Sequence, residues 1–209
     1  MDKYTEKSMK SYNKKANDYM NTRDYIVTKK LKYNFIDYLS KQNINNKAVL
    51  DIACGIGDLL NELYERKSII GTGIDIAENM IHEANRLYGS NIKFLNTNAE
   101  NILVENNTQD IVTICSAFHH ISNPLKVLSE INRVLCNNGC FYIADFAFPS
   151  ILNKLCNIIY PILNSGDVKA YNKKDLEILC ANTGFTIDKY DEIDTVSYIA
   201  KLKKIYNLS

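Results

Sequence analysis

Val49-Leu50-Asp51-Ile52-Ala53-Cys54-Gly55-Ile56-Gly57-Asp58-Leu59-Leu60 decides how this chain folds. Ala48 to Ile52 is a short apolar run that reads as a buried strand. A glycine turn follows, and then a helix. Without a Cβ, Gly55 and Gly57 permit a tight turn and let a ligand lie against the backbone. The helix start presents unpaired N–H groups. Asp51 falls at the carboxyl end of the strand, where open α/β sheets bind ligands. Its carboxylate suits a ligand carrying an amine. A dinucleotide fingerprint would need a third glycine where Leu60 stands.

Working outward, Ser68 to Ile76 is expected as a second strand, with Asp75 near its end, 24 residues after Asp51. An acid closing the second strand of a βαβ unit accepts hydrogen bonds from ribose hydroxyls, whichever nucleotide carries them. Helix Ala77–Tyr88 should end at Gly89 in a left-handed cap. Ile92 to Leu95 makes a third strand, leading into the polar stretch Asn96-Thr97-Asn98-Ala99-Glu100. Asp110 to Phe118 is a buried, β-branched fourth strand. It runs out in Ser116-Ala117-Phe118-His119-His120-Ile121. Pro124 suits the first turn of a helix, which Asn137-Asn138-Gly139 stops after Leu135. Cys140 to Phe146 is the fifth strand and carries Asp145.

The first stretch resembles motif I of the class I S-adenosylmethionine (SAM) dependent methyltransferases, a hydrophobic strand followed by D/E-x-x-x-G-x-G. Ala77-Glu78-Asn79-Met80-Ile81 is similar to that family's pattern after the second acid, which sets a Met near the adenine. Asn98-Ala99 matches its polar-residue-then-Ala pattern at the adenine amine. F-H-H-I-x-x-P, a helix ending Arg133-Val134-Leu135, and Gly139 resemble its small-molecule members. Asn138 and Cys140 depart from the usual Pro and second Gly. The resemblance covers residues 45–145 in good order and 8–20 and 170–205 more loosely. It implies a Rossmann-like α/β fold, with a seven-stranded, mostly parallel sheet in the order 3-2-1-4-5-7-6 and helices on both faces. Right-handed crossovers support the parallel part. SAM is the implied cofactor. Its implied contacts are Tyr12, Tyr19, Asp51, Ala53, Cys54, Gly55, Gly57, Asp75, Ile76, Met80, Asn98, Ala99 and Ser116.

Residues 8–20 and 23–41 read as two helices. Tyr12, Ala16 and Tyr19 share one face of the first. This pattern resembles the N-terminal lid of many small-molecule methyltransferases, and ordinary packing is the alternative. Ile151, Leu152, Leu155, Ile158, Ile159, Ile162 and Leu163 give 147–170 a broad apolar helical face after strand 5, the position of a substrate cover. Asn172 and Asp175 form a capping pattern for a helix ending near Gly184. Thr186–Asp191 and Thr195–Lys203 are expected as a terminal antiparallel pair. The whole chain, 1–209, reads as one domain, with 1–41 as lid and 147–170 as inserted cover.

Composition sets bounds. The 209 residues suit one sizeable core. A net charge of +1 makes no global case for nucleic acid. Residues 1–41 hold ten Lys/Arg against five Asp/Glu, which suits a solvated helical face. No apolar leader and no run long enough to span a membrane is evident. Cysteines 54, 115, 136, 140, 156 and 180 lie mostly in apolar stretches, as free thiols do. Cys136 and Cys140 are four apart but straddle a helix end and a strand start, and no histidine stands nearby with ligand spacing, so no zinc site is expected. A reducing cytoplasm is the natural compartment.

The expected reaction is methyl transfer to a small acceptor through an oxygen: a phenol, quinol, lipid or secondary metabolite. No metal is required. After strand 4 the chain lacks N/D/S-P-P-Y/F and a Pro-Cys nucleophile, against methylation of nucleic-acid bases. His119, with Asp145 26 residues later, is the candidate base and orienting acid. His120 is expected to pack locally. Two rivals stand: a NAD-dependent oxidoreductase, and a SAM-binding protein without transferase activity. Oligomeric state and acceptor are not legible.

Overall fold

The computed structural model describes residues 2–148, 157 and 166–205. In chain order the elements are α1 (Lys3–Lys15), a 3-10 turn (Ala16–Asn21), α2 (Arg23–Ser40), β1 (Ala48–Ile52), α3 (Asp58–Lys67), β2 (Ile70–Asp75), α4 (Glu78–Tyr88) and β3 (Lys93–Asn96). There follow β4 (Gln109–Cys115), a 3-10 turn (Phe118–His120), α5 (Pro124–Val134), β5 (Leu135–Phe146), α6 (Lys173–Ala181), β6 (Phe185–Asp194) and β7 (Ser197–Lys204). The sheet has seven strands in the order β3-β2-β1-β4-β5-β7-β6, as expected. Its pairs are parallel from β3 to β5. β7 runs antiparallel to both neighbours.

Successive side chains of a strand point to opposite faces, and both faces here are covered. Leu50 and Ile52 pack with Val127, Leu128 and Ile131 of α5 and with Leu176 of α6. Val49 packs with Leu31, Phe35 and Leu39 of α2, Leu60 and Leu63 of α3, and Ile81 of α4. Each such side chain, fully buried, is worth about 1.5–3 kcal/mol. A strand covered on both sides shows no apolar–polar alternation, which is why β1 and β4 are mostly apolar, apart from Asp51 near the end of one and Gln109, Asp110 and Thr113 in the other.

Several boundaries differ from expectation. α1 starts at Lys3, because the Asp2 carboxylate accepts the N–H groups of Tyr4 and Thr5. The first helix breaks at Lys15 into the 3-10 turn that carries Tyr19. Gly89 is right-handed, at φ −65°, and is no left-handed cap; its N–H closes on the Asn85 carbonyl. β4 stops at Cys115, since Ser116 has φ +52° and turns the chain out of the sheet. β5 starts early, at Leu135, which pairs with Gln109 before a register shift. The capping box of Asn172 and Asp175 opens α6 as expected, but the helix ends at Ala181.

Most of the expected 147–170 cover lies outside the described residues. Its described flanks are tied down. The Ala147 N–H donates to the Val196 carbonyl, and the N–H groups of Val168 and Lys169 donate to the His119 carbonyl. Among the described residues no helix is long and apolar enough to cross a membrane.

Candidate active site

β1 and β4 are neighbours, and both end in left-handed residues that carry a side chain. Ala53 has φ +56° and Ser116 has φ +52°. Such backbone is costly away from glycine and collects at ligand sites. These two turns open a cleft at the carboxyl edge of the sheet. Gly55 continues the first turn at φ +56°, and a Cβ there would meet only the edge of the Tyr19 ring, at 3.9 Å. The space in front of Gly55 is therefore cavity. Gly57 does different work. At φ +81° it caps α3, and a Cβ would stand 2.5 Å from the Phe94 ring.

Asp75 fixes this turn. Its Oδ2 accepts the Gly55 N–H at 2.9 Å and its Oδ1 accepts the Ala77 N–H at 2.8 Å. Each oxygen keeps a lone pair for a hydroxyl from the cavity. Burial raises the Asp75 carboxyl, and the Ala77 and Gly55 amides oppose the rise. Asp51 is deeper, 3% exposed. The Thr113 hydroxyl donates to its Oδ1 at 2.6 Å, across the β1–β4 register that sets Asp51 beside Thr113. Burial still pushes the Asp51 carboxyl up to about 7. At the mouth, Lys32 reaches Asp58 at 2.6 Å and lies 4.1 Å from the centre of the Tyr25 ring.

Among the residues implied by the resemblance, Tyr12, Tyr19, Asp51, Ala53, Cys54, Gly55, Asp75, Ile76, Asn98, Ala99 and Ser116 line this cavity. Gly57 and Met80 do not line it. Met80 is fully buried with Ala16, Ile56 and Ala77 under the first helical segment. Residues not singled out from the sequence also line the cavity, among them Lys32, Asp58, Thr97 and Glu100. Thr113 could have been found from the parallel register; nothing in the sequence pairs Lys32 with Asp58.

A second chamber shares Tyr12, Thr28, Ser116 and His120 with the first, and adds His119, Phe146 and Asp167 among others. His119 sits on the 3-10 turn after β4, facing the end of β5. Its N–H donates to Asp145 Oδ2 at 2.9 Å, and its Nδ1 lies 2.7 Å from Asp145 Oδ1. Burial lowers the His119 pKa, but Asp145 and then Asp167 outweigh it, and the net shift is upward. His120 is lowered by burial and by the neighbouring His119. His120 is more than local packing: its Nε2 lies 3.1 Å from the Tyr12 hydroxyl, and it lines both chambers.

Residues 49–139 match the family model described as "Methyltransferase domain". That match covers less than half of the chain and falls on the stretch that resembles the class I SAM-dependent methyltransferases. The chain is 31% identical over 104 residues to the ubiquinone/menaquinone biosynthesis C-methyltransferase of Campylobacter jejuni, covering 47% of this chain and 44% of that protein. It is 32% identical over 106 residues to the demethylmenaquinone methyltransferase of Staphylococcus aureus, covering 49% and 44%. The match thus spans less than half the length of these curated relatives. A putative methyltransferase in complex with the Haloferax volcanii Trm112 activator superposes with a TM-score of 0.78 at 18% identity, over 93% of this chain and 98% of that one. Geranyl diphosphate C-methyltransferase of Streptomyces coelicolor, solved with Mg2+, geranyl diphosphate and S-adenosyl-L-homocysteine, gives 0.78 at 10% identity, over 98% and 99%. These likenesses establish the methyltransferase fold.

Proposed function

We propose that this methyltransferase moves the methyl group of SAM onto a small, partly apolar acceptor, through an oxygen, with the whole chain acting as one catalytic domain. The observation that carries the reading is the shared wall of the two chambers. Ser116, Tyr12 and His120 line both, so a cofactor lying along Gly55 and Asp75 would abut an acceptor beside His119. SAM, when bound, supplies an activated methyl and the driving force for its transfer. The chain supplies position, which is where most of the rate can come from. Asp75 would hold the ribose hydroxyls and Asp51 the amino group. Tyr12 and Tyr19, with residues 1–41, would act as the lid over both chambers. His119 Nε2, aimed by Asp145, would take the acceptor's proton. A phenol, quinol, lipid or secondary metabolite would bring the hydroxyl that His119 needs, and the charged lining of the second chamber, with Lys15, Arg23, Asp24 and Asp167, favours the more polar of these. The near-zero net charge speaks against a nucleic acid.

Isothermal titration should show SAM and S-adenosyl-L-homocysteine binding, and NAD not. Labelled SAM added with the protein to a cell extract should then mark a small molecule that mass spectrometry can identify. Binding of NAD in place of SAM would remove the reading. Binding of SAM with no labelled product from any extract would favour a SAM-binding protein without transferase activity.

Asp51 gives this proposal a pH signature. With its carboxyl near 7 in the empty site, the ligand's ammonium must draw off a proton at lower pH. SAM affinity should therefore rise roughly tenfold per pH unit below 7 and level off above it. The empty protein should respond with the opposite sign. Its unfolded chain releases the Asp51 proton near pH 4 and the folded one near 7, so stability at this position falls as pH rises between them. Titrations from pH 5.5 to 8.5 check the affinity slope, and Asp51→Asn should remove most of it.

A further inference from the structure

His119, His120 and Asp167 each bring one ligand atom to within 4.8 Å of the others. Nε2 of His119 is 3.6 Å, and Nδ1 of His120 3.0 Å, from Oδ1 of Asp167. We propose that these three side chains form a binding site for a divalent first-row transition cation, in the wall of the second chamber.

The spacing fits. Bonds of about 2.0–2.2 Å at tetrahedral or octahedral angles put neighbouring ligand atoms roughly 3.0–3.4 Å apart. The two imidazole–carboxylate separations bracket that range, and the two nitrogens lie within 4.8 Å of each other. The orientation fits as well. A ligating imidazole has its other nitrogen held by a carboxylate or hydrogen-bond partner, which sets the ring and its tautomer. His119 has Asp145, 2.7 Å from its Nδ1, and His120 has the Tyr12 hydroxyl, 3.1 Å from its Nε2. Asp145 is itself 1% exposed and accepts the Phe146 N–H, so it does not swing. Each ring therefore turns its remaining nitrogen toward Asp167.

The nitrogen of His120 is the independent sign. Nδ1 is fully buried and 3.0 Å from Asp167 Oδ1, without the alignment of a well-formed N–H bond to it. A buried ring nitrogen close to a carboxylate, yet out of line for an N–H bond to it, suits a lone pair meant for a cation. Two imidazoles and one carboxylate with open positions favour Fe2+, Mn2+, Co2+ or Zn2+ over Mg2+ and Ca2+, which prefer oxygen throughout. Any use in the reaction rests on the methyltransferase reading: an acceptor oxygen would complete the coordination. The lone pair of His119 Nε2 would then serve the cation instead of the acceptor's proton.

The chain has three histidines, and His82 is exposed on α4, which makes it an internal control. The experiment is a Zn2+ titration of the full chain followed by imidazole 15N NMR. One equivalent should shift Nε2 of His119 and Nδ1 of His120 and leave His82 unmoved. Asp167→Asn should weaken Zn2+ binding at least about tenfold in competition with a chelator. Circular dichroism of the same samples reports their folding, and S-adenosyl-L-homocysteine titration reports the cofactor site separately. Unmoved His119 and His120, or undiminished affinity in a folded Asp167→Asn, would overturn the site. Should Asp167→Asn not fold, the wild-type nitrogen pattern decides alone. Failure of the wild type to bind S-adenosyl-L-homocysteine would sink the methyltransferase reading and leave the cation result standing.

Discussion

Asp75→Ala is expected to weaken SAM binding by roughly 1–3 kcal/mol, the loss that goes with a removed charge-assisted hydrogen bond. Two effects combine. The ribose hydroxyls lose their acceptor, and the Gly55 and Ala77 amides lose theirs. The turn that should cradle the cofactor is then free to move before anything binds. Gly55→Val should act from the other side of the same cavity. Its side chain would enter the open space in front of the turn and strain a backbone at φ +56°. Calorimetry with S-adenosyl-L-homocysteine measures both, and unchanged affinity in the two variants would refute this placement of the cofactor.

Catalysis should suffer most from His119→Ala. Removal of a positioned proton acceptor costs about 10²-fold or more in kcat, and Asp145→Asn should follow it, because Asp145 holds His119 by both ring and backbone. SAM affinity should stay near normal in each, since neither residue lines the first cavity. Once an acceptor is known, steady-state kinetics give the answer. Normal turnover by His119→Ala would end the assignment of the base and leave methyl transfer untouched.

The parallel core was legible because its signals are local. Asp51, the two glycines and Asp75 stand in the order and spacing of the family they resemble, and β1 and β4 are mostly apolar because both faces are covered. The dyad of His119 and Asp145 was legible for a related reason: adjacent strands of a known order bring their carboxyl ends together. What escaped lies where tertiary contacts override local pattern. Ser116 carries no mark of the left-handed turn that ends β4 and swings His119 toward Asp145. The role of His120 depends on Tyr12, 108 residues earlier. Asp167 lies beside the histidines where Val168 and Lys169 bond to the His119 carbonyl. Gly89 looked like a left-handed cap from composition, yet a right-handed last turn satisfied its N–H as well.

Those two anchors, Ala147 on Val196 and Val168–Lys169 on His119, join main-chain atoms only. Most replacements at Ala147, Val168 or Lys169 keep the N–H and so leave the path of the chain where it is. Proline is the exception, because it carries no N–H to donate. The position of Asp167 beside the two histidines is thus written in the backbone next to it, and side-chain changes at its neighbours should leave that position unmoved while a proline at 168 should not.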